Sequence, residues 1–236
     1  MKEVIINGIK VFSFTSRKQL IDYISEEKKC LVAINVEKIL HSTHQTREMI
    51  NGNIGYADGI GAVIALRRKG IKKPIKIPGC ELWLDIVNHF YKSKTFYIIG
   101  AKEEIIQKTI EKLNKDFPGI DILGYRNGYI KSKEEEMDLL QTISNLKPDI
   151  VFVAMGSPKQ ELLIQKMQKY HAAIYQGLGG SFDLYVGNIK PVPDWWKKIF
   201  KWEGLYRTLL DYKNINRWKR QKVFFEFIHA LITRKI

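Results

Sequence analysis

The sequence predicts an α/β fold, a Rossmann-like parallel sheet flanked by helices, with a C-terminal basic-aromatic helical appendage. Two observations carry that reading. Across residues 1–190, short β-branched runs alternate with amphipathic stretches at roughly 25- to 30-residue spacing, the signature of parallel strands joined by helical crossovers. After Pro191-Val-Pro193 the alternation stops: residues 195–236 hold eleven Lys/Arg against three Asp/Glu, and four of the five tryptophans. Two domains are therefore expected, an α/β catalytic domain over 1–193 and a helical appendage over 194–236. A chain of 236 residues buries about 70–75 % of its unfolded surface, so neither disulfides nor metals are needed to hold it.

The elements follow in order. Residues 4–7 and 10–14 flank Asn7-Gly8, a two-residue turn whose central positions both need positive φ, so a hairpin opens the chain. Thr15 or Ser16 caps a helix reaching about Lys28. Residues 30–35 read as a buried strand and 36–51 as one helix. A short strand at 54–57 precedes a short helix at 59–69, and an amphipathic helix spans 79–91 after the break at Pro78. Strands at 95–100, 120–124, 149–156 and 172–178 then alternate with helices at 102–115, 133–145 and 157–170. In the last of these, Ser157 is the expected N-cap and Pro158 the first helical residue. Residues 195–210 and 216–232 read as two basic-aromatic helices.

Several classes are excluded by what the chain lacks. Cys30 and Cys80 have no partner at C-x-x-C spacing, which argues for a reducing compartment and against a zinc site. The opening residues contain no secretory signal pattern, so a cytoplasmic location is expected. The best apolar run, residues 223–232, is ten residues long and interrupted by Glu226 and His229, too short to span a bilayer. No Gly-x-Gly-x-x-Gly follows the first strand, which sets aside a dinucleotide-dependent oxidoreductase. There is no Asp-x-Asp to hold a divalent ion. His41 and His44, at helical spacing from Glu37 and Glu48, read as a solvated helix surface, so no metal site and no cofactor is expected.

Ligands of open parallel sheets bind beyond the carboxyl ends of strands, and four segments fall there. Asn35 ends one strand in Ala33-Ile-Asn-Val-Glu37, and Asp58 ends another in Tyr56-Ala-Asp-Gly-Ile-Gly61. Gly156-Ser-Pro-Lys-Gln-Glu161 places Lys159, Gln160 and Glu161 in a first helical turn. Gly177-Leu-Gly-Gly-Ser-Phe-Asp183 has Gly177, Gly179 and Gly180 where a diphosphate could approach bare backbone amides, and Asp183 behind them. A tight turn explains that glycine loop equally well. For Asp58 the two readings are a helix cap and a carboxylate that accepts a proton from an attacking hydroxyl.

Together these segments resemble the WecG/TagA/CpsF glycosyltransferases, glycosyltransferase family 26. The likeness continues through Lys76-Ile-Pro-Gly-Cys-Glu-Leu82, Gly187-Asn-Ile-Lys-Pro-Val-Pro193 and Glu203-Gly-Leu-Tyr-Arg207, and covers essentially the whole chain. The resemblance implies a metal-independent, inverting transferase, peripheral on the cytoplasmic membrane face. Such enzymes move N-acetylmannosamine, its uronic acid or glucose from a UDP-sugar to an undecaprenyl-diphosphate-linked saccharide, in teichoic acid, antigen or exopolysaccharide synthesis. It implies that Asp58 is the base, that Asn35 and Gln160 line the sugar-nucleotide pocket, and that Arg207 and Arg217 meet diphosphate. Four departures bear on the donor sugar. Ala33 stands where threonine is frequent, Lys76 where arginine is usual, Lys190-Pro-Val-Pro193 replaces Lys-Arg-Ala-Pro, and Asn214 replaces the first tail arginine.

The partners expected are a UDP-sugar, a polyprenyl-diphosphate-linked acceptor and an anionic membrane surface, and no nucleic acid. The appendage is expected to bind that surface and to close over the active site, its tryptophans in the headgroup layer and Phe224, Phe225 and Phe227 supplying apolar depth. The alternatives are a helix pair packed on the α/β core, or contacts within a homo-oligomer. A nucleic-acid-binding or non-catalytic lipid-surface module is the rival reading of the whole chain; it explains the basic tail but not Gln160, Asp58 or the glycine loop.

Overall fold

The computed structural model describes residues 1–199, 202–213 and 215–233; the side chains of Lys197, Lys198, Asn216, Arg217 and Arg220 fall outside that description. The chain opens with β1 (Lys2–Ile6) and β2 (Ile9–Ser13), antiparallel with Ile6 opposite Ile9. Asn7 and Gly8 between them take φ of 47° and 80°, as the Asn-Gly turn demands. Asn51 secures the hairpin from outside, donating to the Gly8 carbonyl at 3.0 Å and accepting from the Lys10 amide at 2.8 Å.

There follow α1 (Arg17–Ile24), β3 (Cys30–Ile34), α2 (Val36–His41), α3 (His44–Asn51), β4 (Ile54–Ala57), α4 (Ile60–Arg68) and α5 (Gly79–Phe90). The single helix expected over 36–51 is two. Ser42 is extended, and the Thr43 hydroxyl starts a new helix by accepting from the Thr46 amide at 3.2 Å. Next come β5 (Thr95–Gly100), α6 (Glu103–Asp116), β6 (Asp121–Arg126), α7 (Lys133–Leu146), β7 (Ile150–Ala154), α8 (Lys159–Met167), β8 (Ile174–Gly177) and α9 (Ser181–Tyr185). Among the described residues the appendage contains α10 (Asp194–Ile199), α11 (Glu203–Leu210) and α12 (Ile215–Ile232), three helices where two were expected. Trp196 Nε1 on α10 donates to the carbonyl of Trp202, the residue before α11, at 3.0 Å.

All eight strands belong to one sheet in the order β1-β2-β4-β3-β8-β7-β5-β6. Among the described pairings only β1–β2 is antiparallel; β2–β4, β3–β8, β7–β8, β5–β7 and β5–β6 are parallel.

By contacts the chain divides into two compact units. Unit 1 is Met1–Ser16, Ala33–Pro78 and Pro191–Ile236; unit 2 is Arg17–Val32 and Gly79–Lys190. In unit 1 the fully buried Ile9, Ile34, Tyr56 and Leu66 form the core beneath β2 and β4, and Phe227 of α12 joins them at 0 % exposure. A Cβ on Gly61 of α4 would lie 2.1 Å from the Val36 side chain, so this glycine lets α2 close on α4, while the Phe227 ring at 3.5 Å would be in ordinary contact with it. The expectation that Phe227 supplies depth to a membrane is thereby corrected: it is core. Phe224 packs tilted against Trp202, ring centroids 4.1 Å apart, leaving Trp195, Trp218 and Phe225 as the exposed members of the tryptophan and phenylalanine set.

In unit 2 the core centres on Trp83 of α5, which meets Phe152, Phe182 and Tyr185 edge-on at 5.6, 5.5 and 5.1 Å. Tyr185 donates to Asp116 at 2.7 Å. Burial and that bond both raise the Tyr185 pKa, and the bonds from Lys112 and Tyr185 lower that of Asp116.

Candidate functional site

Unit 1 brings Asn35, Asp58, Lys76 and Glu203 to the carboxyl ends of β3 and β4. The Asp58 amide donates to the Ile34 carbonyl at 3.1 Å, which sets Asp58 beside the residue preceding Asn35. Asn35 is the N-cap of α2, its Oδ1 accepting from the Lys38 amide at 3.0 Å, so its Nδ2 is the group left to reach outward. Asp58 is half-buried and stands one residue ahead of the α4 N-cap, which is Gly59 and makes no side-chain capping bond. The cap position is thus not Asp58 itself.

One residue beyond Lys76, the Ile77 amide donates to the Ala57 carbonyl at 2.8 Å, which holds this loop against the end of β4. The Lys76 ammonium pairs with Glu203 at the start of α11; both side chains are largely covered. Arg207 follows Glu203 by four residues and so lies on the same face of α11. Its Nε is buried and has no hydrogen-bond partner among the described residues. A donor desolvated in this way is a standing cost that an anionic ligand would relieve. Arg217 lies on α12, but its side chain is outside the described residues, as is Asn214.

Unit 2 holds the other candidates. The loop before α8 turns at Gly156, whose φ is 78°, and passes through a cis Ser157–Pro158 peptide. The helix starts at Lys159, with Pro158 at the N-cap position and no side-chain cap. Ser157 is therefore not the cap that its place before a helix suggested. The work of tying the loop falls to Gln160 from inside the helix. Its buried Oε1 accepts from the Gly156 amide at 3.2 Å and from the Gly179 amide at 2.9 Å. Its Nε2 reaches Glu161 Oε1 at 3.5 Å, and Glu161 is buried as well. Lys159, by contrast, is exposed, so the first-turn trio does not share one rim.

The three glycines of 177–180 are glycine for different reasons. A Cβ on Gly177 would meet Gln160 Nε2 at 2.5 Å, so the residue makes room for the Gln160 clamp. Gly179 has a φ of 57°, a left-handed conformation. Gly180 has open space around it and an ordinary φ of −93°. The Leu178, Gly179 and Ser181 amides are spent on Val153, Gln160 and Leu178 respectively. The Gly180 amide has no acceptor among the described residues, so of this set it is the one open to a ligand. Asp183 accepts from Asn188 at 2.7 Å, and its carbonyl takes the Ile189 amide at 3.1 Å, which closes the turn after α9.

The histidine face stays on the surface. His44 lies 3.6 Å from Glu48, and His41 lies 3.4 Å from Glu37 and 3.6 Å from Glu226 of α12. No described helix is long and apolar enough to cross a membrane. Sequence reasoning missed the Lys76–Glu203 pair, because 127 residues separate its members. It also missed the aromatic cluster around Trp83, whose helical spacing reads as ordinary core.

The family model described as "Glycosyl transferase WecG/TagA/CpsF family" matches residues 4–236. A relative from Bacillus spizizenii, an N-acetylglucosaminyldiphosphoundecaprenol N-acetyl-beta-D-mannosaminyltransferase, is 37 % identical over 177 residues. That match covers 74 % of this chain and 66 % of the relative, just under two thirds of its length.

Proposed function

The chain belongs to the WecG/TagA/CpsF family of glycosyl transferases, and on that premise we propose that it moves a sugar from a UDP-sugar to a polyprenyl-diphosphate-linked saccharide. The relative's name favours an N-acetylmannosaminyl group and an acceptor of the N-acetylglucosaminyl-diphosphoundecaprenol type. The observation that carries the reading is Asp58 at the end of β4, one backbone hydrogen bond from the Asn35 strand end and ahead of the helix cap rather than in it.

The reaction is a single displacement. Asp58 takes the proton from an acceptor hydroxyl, whose oxygen attacks the anomeric carbon. The bond from that carbon to the UDP oxygen breaks, UDP leaves with the electron pair, and the anomeric configuration inverts. Charge developing on diphosphate oxygens is met by fixed donors, each contributing about 3–4 kcal/mol where preorganised. Arg207, with its buried unpartnered Nε, and Arg217 supply cationic donors; the Gly180 amide supplies a neutral one. No divalent ion is required, since the chain has no Asp-x-Asp and carries 39 Lys/Arg. Asn35 uses its free Nδ2 on the substrate. Gln160 acts chiefly by shaping the 177–180 loop, because its Oε1 is already engaged twice. Lys76, paired with Glu203, holds the start of α11 and thereby Arg207. Lys159 is an exposed cation for the outer phosphate, and Glu161, Gly177, Gly179 and Asp183 maintain the loop rather than touch substrate.

The appendage, residues 194–236, docks the enzyme peripherally on the cytoplasmic face of an anionic membrane. Exposed Trp195, Trp218 and Phe225 and its eleven Lys/Arg support this. The test is UDP release in EDTA from a panel of UDP-sugars with an N-acetylglucosaminyl-diphosphoryl-lipid acceptor. Release with at least one donor, dependent on acceptor, is expected. No release from any donor, or release restored only by Mg²⁺ or Mn²⁺, would overturn the reaction or its metal independence respectively.

A further inference from the structure

Apart from Lys76, the charge at the end of α4 and on the loop joining it to α5 has no part in the proposed reaction. Residues 67–76 hold six Lys/Arg and no Asp/Glu. The first 194 residues contain 28 basic and 22 acidic side chains, so outside this loop they are neutral. Arg67, Arg68, Lys69, Lys72 and Lys73 are all exposed, and none makes an ion pair with a described residue.

The loop is built rather than loose. Gly70, at φ 87°, donates to the Arg67 carbonyl, and the Ile71 amide returns to the Leu66 carbonyl at 3.1 Å, ending α4 in a left-handed turn. Pro74 and Ile77 are buried, and Lys76 is fastened to Glu203. The cations at 67–73 are thus held outward between two anchors. The negative end of the α4 dipole accounts for Arg67, Arg68 and Lys69. It does not account for Lys72 and Lys73, which lie past the helix. Lys73 is three residues from Lys76, so its Cα lies within about 11 Å of the residue that touches α11. The charged loop therefore runs up to the appendage within unit 1.

We propose that residues 67–73 form a second docking surface for anionic phospholipid headgroups, separate in sequence from the appendage. The proposal rests on the reading that the acceptor is carried by a membrane lipid. Unpaired cations packed within a Debye length act together on a surface of phosphates, and salt weakens them together. Single-stranded nucleic acid fits less well, because residues 67–76 contain no aromatic side chain on which a base could stack.

The test is partition of the full chain onto mixed phosphatidylglycerol–phosphatidylcholine vesicles, with pure phosphatidylcholine vesicles and single-stranded DNA as the other arms. Replacing Arg67, Arg68, Lys72 and Lys73 together by Gln should lower partition onto the anionic vesicles at least about tenfold and leave the phosphatidylcholine arm unchanged. Lys72→Gln with Lys73→Gln, which leaves α4 intact, should give a smaller loss in the same arm. Arg67→Lys with Arg68→Lys should bind as wild type. Equal binding by the fourfold variant, or a loss confined to the DNA arm, overturns the proposal, as does a wild-type chain that ignores anionic vesicles. Failure of the transferase reading shows separately, as absent UDP release from the wild-type chain on a water-soluble short-chain acceptor. On that acceptor the fourfold variant should match wild type.

Discussion

The two units differ most in charge. Unit 1 carries 21 basic and 8 acidic side chains, a net of +13, whereas unit 2 carries 18 and 17, a net of +1. Nearly all of the chain's +14 therefore belongs to the unit that holds Asp58, the 67–76 loop and the appendage. Unit 2 holds its functional loop by other means: one buried amide side chain, a glycine series and a T-shaped aromatic cluster. Surface charge is cheap to carry where water receives it, while a loop that must keep its shape needs satisfied hydrogen bonds. The difference teaches that a net charge read over a whole chain hides how unevenly that charge is placed.

Each prediction breaks or sharpens this contrast. The largest effect on stability is expected in unit 1 from Phe227→Ala, which removes a fully buried ring of the unit 1 core. About 3–5 kcal/mol should be lost in denaturant unfolding. Phe225→Ala, on the exposed side of the same helix, should leave unfolding unchanged and weaken vesicle binding. Equal stability of the two variants would mean that α12 is an anchor alone.

In unit 2, Gln160→Ala leaves the Gly156 and Gly179 amides without their acceptor. A loss of about 2–4 kcal/mol is expected, with a raised KM for the donor. A variant with unchanged stability and only a raised KM would make Gln160 a substrate contact and not a clamp. A smaller pair of effects separates the glycines: Gly177→Ala should cost about 1–3 kcal/mol by pressing on Gln160. Gly180→Ala has room for its Cβ and should cost less than about 0.5 kcal/mol while reducing donor affinity.

The smallest effect is in pH dependence. Tyr175 and Tyr185, both in unit 2, have pKa values raised mainly by burial. A raised folded-state pKa means that the stabilising contribution is complete below the unfolded value near 10 and is lost as pH climbs above it. Unfolding free energy should therefore decline above about pH 10, and Tyr185→Phe should flatten that decline. An unchanged alkaline slope would show that the Tyr185 pKa is not raised in the folded chain.

Much of this architecture was legible in the sequence. Asn7-Gly8 determines a hairpin because few other residue pairs accept two positive φ values in succession, and the β-branched runs at 95–100 and 150–154 leave little choice but buried strands. Local chemistry misled where two signals competed. Helical periodicity ran through 36–51, yet Thr43 has both the hydroxyl and the extended backbone to cap a new helix. Ser157 looks like a cap, but Gln160, three residues later, carries the acceptor. The aromatic stripe of α12 gives no sign of which ring faces the core; that Phe227 is buried and Phe225 exposed is decided by tertiary packing. Of the site, the strand-end positions of Asn35 and Asp58 followed from topology, while the Lys76–Glu203 pair and the division of labour among the three glycines are tertiary facts with no local signature.

The central claim is that Asp58 removes a proton from the acceptor rather than supporting a helix. The most direct measurement is the rate of UDP release by Asp58→Asn, in EDTA and with donor and lipid-diphosphate-sugar acceptor saturating, beside its unfolding midpoint. The substitution keeps the side chain's shape and one carbonyl oxygen but removes its basicity. A rate at least about 100-fold below wild type, with an unchanged midpoint, is the predicted result. A rate within a few-fold of wild type, or a loss of activity matched by a loss of folding, would contradict it.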